Sequence, residues 1–141
     1  MIDLNRIIRA KTPLTLSGVP AGFQPWMLAD MARAANTRAV FIAPDEQAMQ
    51  AVAEAADWFA PEVEIIRIPA WDCLPYARAS PSLRSASDRL AGLHALQATP
   101  KNPQLVLTTI SAVTQRTLTP FRVRQLVARL DQLQEPGCYV T

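Results

Sequence analysis

"PLTLSGVPAGFQPWMLADMARAANTRAVFIAP", residues 13–44, decides the fold class. It opens on an apolar alternation that predicts a strand over residues 13–18, then passes a turn containing Gly18, Pro20 and Gly22. Leu28, Met31, Ala32 and Ala35 follow at i, i+3, i+4 and i+7, which gives a helix with one apolar stripe. Pro25 suits the first turn of that helix, where a missing N–H costs nothing. "RAVFIAP", residues 38–44, is a continuous apolar run of the kind buried on both faces of a sheet. Strand, helix and strand in this order make a βαβ unit.

The pattern continues downstream. Asp45 is a good N-cap for a helix whose Met49, Val52, Ala56 and Phe59 share a face, and Pro61 stops it. "VEIIRIP" predicts a third strand. After a loop from Trp71, Ser80 and Pro81 are expected to cap and open a helix with a Leu83, Ala86, Leu90, Leu93, Leu96 stripe. "QLVLTTI" predicts a fourth strand, "SAVTQR" a short helix, and "FRVRQLVARL" an extended segment. The order β-α-β-α-β-α-β argues for an α/β fold, an open parallel sheet with flanking helices and right-handed crossovers.

Composition narrows the function. Half of the 141 residues are apolar and 18% are charged, so the chain folds around a core. No apolar run reaches the ~20 residues needed to cross a bilayer, and the first residues lack a secretory signal. A cytoplasmic protein with no membrane partner is expected. Cys73 and Cys138 form no CxxC pair, so neither a zinc site nor any other metal site is expected. His94, the one histidine, has no acidic sequence neighbour to orient it, which argues against a nucleophile–His pair. No catalytic residue stands out.

The net charge of +2 is unevenly spread. Residues 39–72 carry seven acids and one base, whereas residues 89–130 carry six bases and no acid. Arg116, Arg122 and Arg124 are candidates for a basic patch. If their segment is extended, Arg122 and Arg124 share a face and Arg129 lies opposite. The alternative is two solvated sides with nothing bound.

Residues 17–24 have the outline of a phosphate-binding loop. In G-x-x-x-x-G-K-[ST], backbone amides wrap the phosphates, lysine neutralises them and a hydroxyl holds magnesium. With the second glycine on Gly22, the first falls on Ser17, the lysine on Phe23 and the hydroxyl on Gln24; Gly18 lies inside the turn. Pro20 and Pro25 remove two further donors. No cofactor binding is expected here, and Phe23 is expected to cover the sheet edge. A plain connection and a decayed nucleotide loop both remain open.

The segment "IPAWDCLPYARASPSLRSASDRLAGLHAL", residues 68–96, resembles the bacterial transcription-repair coupling factor, Mfd. The family pattern is an apolar-Pro-x-W-[DE]-x-L-P-Y-[DE] stretch, then Ser-Pro, then a helix with Ser-x-R-L. The matching positions are Trp71, Asp72, Leu74, Pro75, Tyr76, Ser80, Pro81, Ser87, Arg89 and Leu90. "QLVLTTISAVTQR" is similar to the family's next strand and its continuation. "SGVPAGFQPWMLADMARA" is similar to its opening, in the form of alphaproteobacterial members. The match covers roughly residues 10–130. Ala77 departs from the acidic residue usual after Pro-Tyr.

The resemblance implies a RecA-like, helicase-type fold similar to the first domain of UvrB, with a degenerate P-loop. It implies a UvrB-like domain over residues 1–120, with 121–141 the start of a following small domain, truncated or divergent. The full-length family displaces RNA polymerase stalled at DNA lesions with an ATP- and magnesium-dependent DNA translocase, and recruits UvrA for excision repair. That motor lies far downstream. For this chain the resemblance implies a non-catalytic scaffold whose own contacts with UvrA, polymerase or DNA are open. The alternatives are a helicase or NTPase half-domain that binds nucleotide, and a functionless gene fragment.

Two further readings stay open at residue level. The loop from Trp71 to Ser80 either binds a partner or packs on the sheet, with Trp71, Leu74 and Tyr76 as anchors. Arg89 either touches DNA or a partner, or pairs with Asp88, Asp72 or a loop carbonyl.

Overall fold

The computed structural model describes residues 4–73, 82–117 and 119–134. Leu74, Pro75, Tyr76, Ala77, Ser80, Pro81, Cys138 and the side chain of Arg129 lie outside the described residues. Helices α1 (Leu4–Ile8), α2 (Gln24–Ala35), α3 (Glu46–Phe59), α4 (Leu83–Ala95), α5 (Ile110–Thr114) and α6 (Pro120–Gln134) surround strands β1 (Arg38–Ala43), β2 (Glu64–Ile68) and β3 (Gln104–Thr109). The strands form one parallel sheet in the order β1-β3-β2.

Local chemistry sets the helix boundaries. Asp45 accepts a hydrogen bond from the Ala48 amide at 2.7 Å and starts α3. Ser82 accepts from the Ser85 amide at 3.2 Å and starts α4, so the cap lies two residues beyond the expected Ser80. Thr109 does the same for α5, accepting from Ala112. Asn36 takes a left-handed conformation, φ 49°, and ends α2.

Each face of the sheet has its own core. On one, Leu28, Ala29 and Ala32 of α2 and Met49, Val52, Ala53 and Ala56 of α3 pack on Leu105 and Leu107, with Ala39, Phe41 and Ile65 beside them. On the other, Ile66, Ile68 and Val106 pack against Leu93, Ala95 and Leu96 around α4. All six positions of β3 are buried.

Several expectations are corrected. Residues 13–18 form no strand; Leu14 and Leu16 remain 51% and 42% exposed, because alternation makes a strand only where a neighbour takes up its backbone groups. The sheet has three strands instead of four. β1 is an edge strand, not one covered on both faces: Val40 and Ile42 are 63% and 50% exposed. "FRVRQLVARL" lies within α6, whose Val123 is 1% exposed and packs toward α4. Val123 and Val127 stand four apart, a helical spacing, and that outweighs the short alternation Phe121–Arg124. Phe59 is not part of the buried face of α3, being 44% exposed.

On α4 the most buried positions are Arg89 and Gly92, with the leucines to one side and Leu83 90% exposed. A Cβ on Gly92 would collide with the Arg67 carbonyl oxygen. Glycine therefore lets α4 lie directly on β2.

Candidate functional site

The turn before α2 bonds two of its amides internally. Residues Ala21–Phe23 form one 3-10 turn, in which the Phe23 amide donates to the Pro20 carbonyl at 2.9 Å. The Gln24 amide donates to Ala21, and Pro25 has none to offer. Gly18 is left-handed, φ 72°, and Ser17, Gly18 and Gly22 are exposed. The Phe23 ring, 38% exposed, leans on Trp26 with centroids 4.9 Å apart. Where a phosphate cradle presents several convergent amides, this turn presents a tilted aromatic pair.

The second candidate lies beyond the C-terminal end of β2, the usual location of sites in open parallel sheets. Arg89 holds it together from below. Its side chain is 1% exposed; one terminal nitrogen donates to the Pro69 carbonyl at 2.6 Å and the other to Ala112 at 3.1 Å. The guanidinium carbon lies 5.3 Å from the centre of the Trp71 ring, a cation–π distance. Burial pulls the Arg89 pKa down. Its Nε has no partner among the described residues. Of the open readings for Arg89, the carbonyl bonds are those observed; Asp88 instead faces Arg84 at 3.9 Å in an exposed pair.

The motif residues fasten the chain that leaves β2. The Trp71 amide donates to Gln115 Oε1 at 2.7 Å, tying the loop to the segment after α5. Asp72 accepts from the Ser82 amide at 3.1 Å, and Ser85 donates to the Ala70 carbonyl at 3.3 Å. The Ser82 hydroxyl first, and its amide second, hold the Asp72 carboxyl below the usual aspartate range. Ser87 merely donates to the Arg84 carbonyl one turn back. Gln115 carried no catalytic pattern in the sequence; only its place in the family-like "TT-x-x-A-x-x-Q-R" marked it.

Above this frame lie two adjoining depressions of about 460 and 380 Å³ that share Glu46, Pro69, Arg84 and Asp88. Glu46 has its pKa raised by burial, opposed by a hydrogen bond from the Ala70 amide. Glu46, Asp72 and Asp88 line these depressions together with Arg67 and Arg84, so the surface is of mixed charge. His94 is exposed and Cys73 partly so. Among the described residues no three His, Cys, Asp or Glu side chains group as metal ligands, and no helix is long and apolar enough to cross a membrane.

The basic patch is not brought together as an extended face. On helix α6, Arg122 and Arg124 point about 200° apart. Arg124 Nε donates to Gln97 Oε1 at 2.6 Å, while Arg116 is exposed after α5. No family model and no curated protein matches the chain.

Proposed function

We propose that the chain is a non-catalytic scaffold domain of the kind that opens the transcription-repair coupling factor, with a RecA-like ancestry and a phosphate loop that no longer takes nucleotide. One observation carries the reading: the amides of Phe23 and Gln24 are bonded within their own turn, at the two positions where these residues stand for lysine and hydroxyl. The motif from Trp71 to Arg89 supports it in a second way. Its hydrogen bonds tie together the chain around the ends of β2, α4 and α5, which suits a rigid platform for a neighbouring partner-binding unit. Contacts with UvrA, polymerase or DNA belong on this reading to the longer assembly.

The rival reading, a nucleotide-binding helicase half-domain, is tested by a thermal-shift series with Mg-ATP. At 1 mM ligand a dissociation constant near 1 µM stabilises by about 4 kcal/mol. No shift is the expected result. A saturable shift with Mg-ATP overturns the scaffold reading.

A further inference from the structure

We infer that residues 13–17 act as a strap that closes on the open edge of β1 as a fourth parallel strand and shields that edge from other chains. The inference begins at the edge itself. The Thr37 carbonyl accepts from the Gln104 amide, so odd-numbered residues of β1 turn their backbone groups toward β3. By alternation the N–H and C=O groups of Val40 and Ile42 point outward, and no strand pairs with them among the described residues. Their side chains are exposed as well. An edge of this kind attracts a further strand.

Topology selects which strand. α2 and α3 pack on the same face of the sheet, because both contribute to the core around Leu105 and Leu107. The crossover from β1 through α3 runs across that face to β2, passing over β3. Parallel crossovers are right-handed. A strand that feeds β1 through α2, on that same face, must then lie on the far side of β1 from β3. That side is the open edge. Only residues 18–23 separate the strap from α2, and α2, about 18 Å long, spans the sheet back to the start of β1. The strap itself has the required chemistry: it is uncharged, alternates Leu14 with Leu16, and leaves both leucines half-exposed when open.

Amide hydrogen exchange on the full chain tests the inference, with light scattering to fix the oligomeric state. In the parent, the Val40 and Ile42 amides are expected to exchange at least about tenfold more slowly than in a Leu14→Asp/Leu16→Asp variant, with Phe41 equally protected in both. Because a strand turns alternate amides toward its neighbour, one of Leu14→Pro and Thr15→Pro is expected to expose the edge more than the other. Fast exchange of Val40 and Ile42 in the parent overturns the inference. So does protection that survives all three variants, or protection that appears only with dimer.

Discussion

Gly92 and Arg89 sit one turn apart on the side of α4 that meets β2, and both take positions normally held by apolar side chains. Gly92→Ala drives a methyl into the Arg67 carbonyl, a backbone atom that cannot swing aside. A loss of about 1–3 kcal/mol is expected in chemical unfolding. Ala91→Gly, on the exposed neighbour, is expected to cost about 1 kcal/mol or less. Arg89→Ala leaves the Pro69 and Ala112 carbonyls without their donor, at about 1–3 kcal/mol for a buried group left unpaired. Arg89→Lys rescues little, since an ammonium lacks the fork that spans both oxygens. Asp72 gives a pH signature. Its folded pKa is lowered, so the unfolded chain takes up the proton first as pH falls. Its contribution is complete above the unfolded value, about 3.9, and fades below it. Asp72→Asn is therefore expected to lower Tm at pH 7, with the gap to the parent narrowing as pH falls below the unfolded value.

At the level of elements, α6 is the most exposed to a single change. Among its described side chains the buried anchor is Val123, while Phe121 is 68% exposed and Leu126 40%. Val123→Asp puts a charge against α4 and is expected to release α6, seen as rapid tryptic cleavage at Arg122 and Arg124 while the sheet still unfolds cooperatively. The elements also show how far the sequence could be read. α3 was legible from Asp45 to its end because cap, stripe and proline agree. Residues 13–18 and α6 were not, because four alternating residues satisfy a strand and one helical turn alike, and neither pattern reports whether a neighbour is present. The motif residues Trp71, Asp72 and Arg89 were legible as a set, but the burial of Arg89 was not. A charge reads as solvent-facing, and the only local clue was Gly92 three residues on, a small residue on a leucine-bearing helix.

For the whole molecule, the order β1-β3-β2 makes β3 the hub of the sheet. Arg38 of β1 and Gln104 of β3 are bonded across 66 positions, and Gln104 reaches Glu64 of β2 across 40. Neither outer strand bonds to the other. A chain ended at residue 103 is expected to give no cooperative unfolding transition by circular dichroism, however much helix it retains. During synthesis the consequence is a delay. β1 and β2 leave the ribosome tunnel well before the segment that joins them, so the nascent chain must hold two sticky ribbons apart for several seconds at ordinary elongation speeds. Chaperone demand should thus peak in that interval and drop once Gln104–Thr109 has emerged.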